Sequence, residues 1–465
     1  MSFLSPLFDT DPEAPALVGE GGFLTRGEVA RRARNVAREL RARGVARGDV
    51  VALRGDVSEG LVVALHGLWT GGAVAAPLNP RWSPVEESRA LELLTPDLVL
   101  DPGPETGRAG KGGGLPDPEP GRDPHPERPA TAALHAPAAR LLTSGTSGTP
   151  RLVTLTVGNL RASARGARER LGLSAGDRWL ASLSPAHVGG LALVSRAGLL
   201  GSVLVLRGAF RAGAFLELAL AGEVTHASLV PTMLRRLLEA GGGDPAPEAL
   251  ACLLVGGAPS PPELLEEALA RGFPVAPTYG LTEASSQVAT APPGLARRKP
   301  GTVGSPLPGV RVRIDETGEI LVAGSTVAPG APGEDGWLRT GDLGRLDGEG
   351  HLRVTGRLTD RIISGGENVD PAEVEGTLRD HPGVGDAAVV GLPHPEWGEE
   401  VVAAVVPKER GALSIRDLAD FCRERLSPAK RPRDLLALEG LPLNPNGKVD
   451  RAALRATFDR RRPDR

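Results

Sequence analysis

Between Thr25 and Thr278, short apolar runs alternate with stretches of helical periodicity, and this alternation leaves few folds open to the chain. Thr25-Arg26-Gly27-Glu28 has the form of a capping box, in which the hydroxyl and the carboxylate each take an N–H at a helix start. Behind it Val29, Ala33, Val36, Ala37 and Leu40 recur on one helical face, and Gly44 ends the helix. Residues 49–53 read as a buried strand, Val62, Ala64 and Leu68 as a second helical face, and residues 73–78 as the next strand. Strand, helix, strand in this order implies a mostly parallel sheet covered on both faces. The pattern continues with strands at 98–100, 152–155, 179–183, 203–206, 226–230, 253–255 and 275–278. A helix through Leu191 and Val194 carries Arg196.

Beyond Gly294 the texture changes. Short strands at 310–314, 319–322 and 351–354, punctuated by glycine and proline, predict a smaller β-rich subdomain. The last hundred or so residues carry their own α+β pattern: a helix at 371–378, strands at 387–390 and 401–406, and a helix from Ser414. The expected class is α/β. A large N-terminal domain (1–358) of mostly parallel βαβ sheets plus the β-rich subdomain is followed by a small, mobile α+β domain (359–465). Residues 102–137, rich in Gly, Pro, Asp and Arg, read as a linker. At 465 residues the chain can bury a sizeable core in each domain.

A net charge of −3 gives no general attraction to nucleic acid or to anionic membrane. Cys252 and Cys422 form neither a metal-ligand spacing nor a disulfide framework. The start of the chain has no basic segment followed by a long apolar one, so it is not a signal peptide. The most apolar span, 189–206, is broken by Arg196 and several glycines and is no membrane span. A cytoplasmic location is expected, and the sequence leaves room for a homo-oligomer.

In open α/β sheets, ligands collect at the carboxyl ends of strands. The run Leu141 to Arg151 ends a strand in this way. Thr143, Ser144, Thr146, Ser147 and Thr149 supply hydroxyls, Gly145 and Gly148 allow sharp turns, and successive N–H groups can cradle an anion. A Walker A loop is excluded, since no Gly-Lys pair is followed by Ser or Thr. Composition alone leaves a polar surface turn open as the alternative. Three further polar clusters follow strands: Ser184 to Gly190, which includes His187; Gly256-Gly257-Ala258; and Thr278-Tyr279-Gly280-Leu281-Thr282-Glu283.

Taken in order, TSGTSGTPR, YGLTEAS, TGDLG, GRLTDRIISGGENVDPAEVE and PLNPNGK resemble the motifs of the adenylate-forming superfamily of acyl-CoA synthetases and related AMP-binding enzymes. The likeness covers nearly the whole chain. It implies that a carboxylate is joined to ATP as an acyl-adenylate, which CoA then attacks, with ATP, Mg²⁺ and CoA as cofactor and cosubstrates. By the same resemblance, Thr143, Ser144, Gly145, Thr146, Ser147, Gly148 and Arg151 hold the β- and γ-phosphates, and Thr282 meets the α-phosphate. Glu283 would hold Mg²⁺, a hard cation suited to carboxylate and phosphate oxygens; a solvated carboxylate at a helix start is its alternative. Gly256, Gly257, Ala258, Tyr279 and Gly280 correspond to the adenine slot, although the chain's single tyrosine also suits a core. Asp342 corresponds to the ribose contact, with a turn aspartate as alternative. Arg357 corresponds to a ribose and phosphate contact or to a solvated linker charge, Gly365 and Gly366 belong to the nucleotide-binding SGGENV motif, and Thr359 occupies the hinge. Lys448 matches the lysine that bridges carboxylate and α-phosphate, or is an ordinary surface lysine. The family pattern more often has lysine at 149 and 151 and Asp or Lys at 359; this chain has Thr149, Arg151 and Thr359.

PAHVGGLALVSR, GLTEASSQVAT and SGGENV further resemble the o-succinylbenzoate–CoA ligases of menaquinone biosynthesis. No aspartate accompanies His187 to pair with an amine, which argues against an amino acid substrate. A small-molecule acid with two carboxylates needs donors for the one that does not react. Arg196, Ser286 and Gln287 are the candidates, with His187 at the reacting end. Arg196 in a buried ion pair, and Ser286 and Gln287 as caps of a helix after Glu283, are the alternatives. Ligation of another aryl or fatty acid, or nucleotide binding without catalysis, stays open at this stage.

Overall fold

The computed structural model describes residues 11–103, 134–143, 151–364, 367–409, 413–444 and 448–461. Two compact units emerge, one built from residues 1–313, 321–339 and 346–353, the other from 314–320, 340–345 and 354–465.

The first unit is built on two mixed sheets. In the smaller, Leu98–Leu100, Val50–Leu53, Val74–Pro77 and Pro137–Thr143 run parallel in that order, and Arg151–Thr156 returns antiparallel at the edge. In the larger, the order is Ser286–Thr290, Val275–Leu281, Cys252–Val255, His226–Leu229, Arg178–Leu180, Val203–Val205, Pro15–Gly19 and Gly22–Thr25. Its six central strands are parallel and each edge pair is antiparallel. Side chains alternate across it as the strand period requires. Trp179 and Leu204 face one core, together with Val51, Leu53, Leu141 and Leu191, while Leu180 and Val205 face another, with Phe215, Leu234 and Phe273.

Helix chemistry follows the sequence. The Thr25 hydroxyl accepts from the Glu28 N–H at 3.2 Å, and the Thr25 N–H donates to Glu28 Oε2 at 2.9 Å. The helix Arg26–Ala42 then buries Val29, Ala33, Val36, Ala37 and Leu40. It lies close on Glu59–Gly71, because a Cβ at Gly67 would collide with Val36.

Residues 310–357 form a four-stranded sheet in chain order: Val310–Ile314, Glu319–Gly324, Leu338–Leu346 and Leu352–Arg357. The expected β-rich subdomain is this sheet. In the second unit the order is Glu367–Val369, Ile362–Ser364, Gly398–Pro407 and Val384–His394, with Asp434–Ala437 parallel to Gly398–Pro407. Val374, Val389, Leu418 and Cys422 fill one face of that sheet, and Val390, Val402, Leu454 and Phe458 the other. No described helix is long and apolar enough to cross a membrane. The expected linker lies largely outside the described residues.

Candidate active site

Parallel strands deliver their following loops to one edge of the larger sheet, and the polar clusters sit there. After Cys252–Val255 the chain turns through Gly256 and Gly257. A Cβ at Gly256 would lie 2.6 Å from Thr278 Cγ2, so only glycine fits beside the neighbouring strand, and Gly257 has a φ of +80°. Ala258 follows in the same turn. Tyr279 is buried on Val275–Leu281, at a bulge with Gly280. The small residues at 256–258 thus follow one strand, and the buried Tyr279 lies on the strand beside it.

Thr282–Ala284 is a single 3₁₀ turn. Ser285 (φ 56°) and Ser286 (φ 93°) then reverse the chain into the strand Ser286–Thr290. A helix after Glu283 is one of the expectations that fails here, and with it the capping role for Ser286 and Gln287. The reason is local: the two left-handed residues fold the segment back, and Gly280 gives the Ser286 carbonyl room no Cβ would leave. The reversal is strained, and its surroundings hold it. Ser163 Oγ donates to the Ser285 carbonyl at 2.7 Å, Ser285 Oγ to the Thr326 carbonyl at 2.7 Å, and the Ala328 N–H to the Glu283 carbonyl at 2.8 Å. Asn159 Nδ2 anchors the same segment through the Ser325 and Val327 carbonyls, at 2.9 and 3.0 Å. The sequence reading missed Ser163 and Asn159, which lie over a hundred residues from the turn they support.

The half-buried Glu283 carboxylate has no hydrogen bond or ion pair among the described residues. No described group of three or more His, Cys, Asp or Glu could hold a metal. One unpaired carboxylate is nonetheless the donor set Mg²⁺ takes when phosphates and water complete its shell. The residues present fit that ion.

Thr143 ends one strand of the smaller sheet and Arg151, exposed, begins its antiparallel partner, so the hairpin register pairs the two. Ser144, Gly145, Thr146, Ser147 and Gly148 lie outside the described residues, as do Gly365 and Gly366. His187 is exposed and stands at the N-cap of the helix Val188–Leu200, where its backbone is extended. Gly190 is required in the first turn of that helix, since a Cβ would strike the Leu183 and Ser184 carbonyls.

The structure does not bring Arg196 to His187. Nine residues of helix, about 13 Å along the axis, separate them. Arg196 is buried, and its Nε and Nη2 have no partner among the described residues. Burial lowers its pKa to about 10, and the titratable neighbour it feels is the Cys252 thiol, at the first residue of its strand. Neither the expected buried ion pair nor a contact with the His187 loop is present among the described residues. Gln287 is buried too; Nε2 donates to Thr290 Oγ1 at 2.7 Å and Oε1 has no partner there. Ser286 beside it is half-buried.

A second cluster belongs to the other unit. The Gly341 N–H donates to Glu319 Oε1 at 2.7 Å, a contact the sequence reading missed, and Gly341 takes a φ of +70°. This turn presents Asp342, buried, whose Oδ1 accepts from Arg357 Nε at 2.8 Å. Lys448 is drawn to the same place. Loss of hydration and then Arg357 push its ammonium below the ordinary value, while Asp342 raises it. The residue as a whole stays exposed. Its loop is tied by the Asn444 N–H to the Lys448 carbonyl at 2.7 Å and by the Lys448 N–H to Asn444 Oδ1 at 3.0 Å. Leu358–Asp360 forms one 3₁₀ turn, with Thr359 two residues after Arg357, the partner of Asp342.

Against known proteins, a family described as AMP-binding enzyme matches residues 8–331, and one described as AMP-binding enzyme C-terminal domain matches 373–448. The 2-succinylbenzoate–CoA ligase of Bacillus subtilis (strain 168) is 35% identical over 486 aligned residues, covering 96% of this chain and 95% of that one. A structure of o-succinylbenzoate CoA synthetase from Bacillus subtilis with its acyl-adenylate intermediate superposes with a TM-score of 0.86 at 33% identity, covering 97% of both chains. The same enzyme with ATP and magnesium ion gives 0.85 at 33% identity, covering 97% of this chain and 99% of that one.

Proposed function

The chain belongs to the family of AMP-binding enzymes, and from that premise we propose that it is an AMP-forming acid–CoA ligase acting on 2-succinylbenzoate in menaquinone biosynthesis. The products are 2-succinylbenzoyl-CoA, AMP and diphosphate. One observation carries this: the likeness to 2-succinylbenzoate–CoA ligases runs over 96% of the chain rather than over a nucleotide-binding core alone.

In the first half-reaction a carboxylate oxygen of the acid attacks the α-phosphorus of ATP. The bond from that phosphorus to the bridging oxygen breaks, and its electron pair leaves with diphosphate. In the second, the CoA sulfur attacks the acyl carbon, the acyl C–O bond breaks, AMP leaves, and the thiol proton passes to water. Such chemistry asks a protein mainly for positioning and for charge placed where charge develops. Thr282 is suited to the α-phosphate and the Thr143–Arg151 hairpin to the outer phosphates. Gly256, Gly257, Ala258, Tyr279 and Gly280 are suited to adenine. Asp342, steadied by Arg357, offers an oxygen to the ribose hydroxyls. Glu283 would hold Mg²⁺, which neutralises phosphate charge. Lys448 brings a cation to the meeting point of carboxylate and α-phosphate, and partial loss of hydration and Arg357 lower its pKa. Between the half-reactions the residues beyond Thr359 turn about that hinge.

His187, exposed at the start of the helix Val188–Leu200, is suited to the reacting carboxylate. Ser286 and Gln287, on the strand that the Glu283 turn launches, are suited to the distal carboxylate. With ordinary thiols and small-molecule partners throughout, the working compartment is the cytoplasm. Diphosphate release measured with 2-succinylbenzoate, benzoate and medium-chain fatty acids, each with and without CoA, tests the assignment. Release and thioester with 2-succinylbenzoate alone supports it; preference for another acid moves the substrate, and no release with any acid removes the activity.

A further inference from the structure

The arginine three residues after Lys448 makes more contacts than a solvent-facing helix start needs. Arg451 opens the helix Arg451–Arg461. Its Nε donates to Asp360 Oδ2 at 3.1 Å. Its Nη1 donates to Glu375 Oε1 at 2.9 Å and to the Val389 carbonyl at 2.8 Å. Glu375 is itself fixed by the Val389 N–H at 2.9 Å and lies within 3.4 Å of Arg379. Arg451 therefore rests on the rigid sheet of the second unit through one arm and reaches Asp360 with the other.

Asp360 follows Thr359 directly, and it stands three residues after Arg357 just as Arg451 stands three after Lys448. Resting on the hinge and lysine roles given above, we propose that Arg451 is a positioning residue that fastens the Lys448 loop to the downstream end of the hinge, so that rotation at Thr359 is handed to Lys448 without slack. Three residues of chain allow about 10 Å between the Cα atoms of Lys448 and Arg451, a tether short enough for the pair to set the reach of the ammonium toward Asp342 and Arg357. A misplacement of about 1 Å in such a group costs up to about 100-fold in rate. Other groups at the joint are accounted for: Asp450 caps the helix through the Ala453 N–H at 2.9 Å, and its own N–H donates to the Pro442 carbonyl.

Asp360→Asn and Arg451→Ala in the full-length protein separate this from a purely structural pairing. Each half-reaction is timed alone: adenylation by diphosphate release, thioester formation from preformed acyl-adenylate and CoA. Both variants should slow adenylation about 10- to 100-fold, mainly in kcat, and change thioester formation less than about threefold. Arg451→Lys should recover part of the loss, and the double variant should be no worse than Arg451→Ala, since Asp360→Asn removes a contact that Arg451→Ala already lacks. As a readout independent of turnover, the protein's five lysines are dimethylated with ¹³C and titrated by NMR. In the two variants the Lys448 signal should move up toward the other exposed lysines. Equal slowing of both half-reactions, additive losses, or an unmoved Lys448 titration overturns the proposal. If the unaltered protein makes no acyl-adenylate, the activity assignment falls and the Lys448 titration alone decides the role of Arg451.

Discussion

Lys448 is where a single side chain carries the most. A surface ammonium would keep its ordinary pKa; this one is lowered by lost hydration and by Arg357. Lys448→Ala should cut adenylation by about 10²- to 10³-fold, the scale of losing one preorganised charge partner, and leave thioester formation from preformed adenylate largely intact. Timing the two half-reactions separately checks this, and equal losses contradict the role. Arg196 makes the opposite point. Arginine on an otherwise apolar helix looked like a substrate contact in the sequence, because nothing local shows what a long side chain meets. The fold puts it in the core beside Cys252, with two nitrogens unpaired among the described residues. Replacing an unpartnered buried charge by an apolar side chain of similar volume is often neutral or stabilising. Arg196→Met should therefore hold or raise the melting temperature with KM for the acid unchanged if the guanidinium stays out of the substrate's reach. A rise in that KM of tenfold or more would instead assign it to the distal carboxylate.

At the level of elements, what was legible was whatever is written locally. The capping box at Thr25, the helix stop at Gly44 and the strand period at 50–53 and 74–77 depend on neighbours in sequence, and they stand where expected. The Glu283 segment did not read correctly. Its 3₁₀ turn and return strand depend on Ser163, Asn159 and Ala328, which no window around YGLTEAS contains. Gly280 is the hinge-pin of that segment. Gly280→Ala would set a methyl on the Ser286 carbonyl, and either Ser286–Thr290 shifts or the turn opens. The expected result is a loss of several kcal/mol, in the range of overpacked or strained sites, together with lost Mg²⁺-dependent adenylation. Urea unfolding and diphosphate release measure the two. A variant as stable and as active as the parent would mean that the bulge at Tyr279 can relax.

For the whole molecule, the alternation of strands and helices was enough for the class, but nothing local indicated that residues 314–320 and 340–345 belong to the same unit as 354–465. Stability as a function of pH is also a whole-molecule property, and His66 contributes to it. Burial in the helix Glu59–Gly71, against Trp69, lowers its pKa to about 4. The unfolded chain binds a proton near the ordinary 6.5, so between these values the unfolded state holds more protons than the folded one. Stability therefore falls as pH drops through this window, by roughly 2 kcal/mol between pH 7 and 5 from this one group. Denaturant midpoints at the two pH values should show that drop, and His66→Leu should flatten it; an unchanged slope in the variant would place the acid sensitivity elsewhere.

Both native thiols are enclosed, Cys252 in the core beside Arg196 with its pKa pushed up to about 12 by burial, and Cys422 on the packed face of the second unit. Neither will compete for a maleimide dye in the folded protein. A fluorophore pair can be installed on newly introduced surface cysteines without first stripping out the natural ones, and the turn proposed about Thr359 can be looked for one molecule at a time.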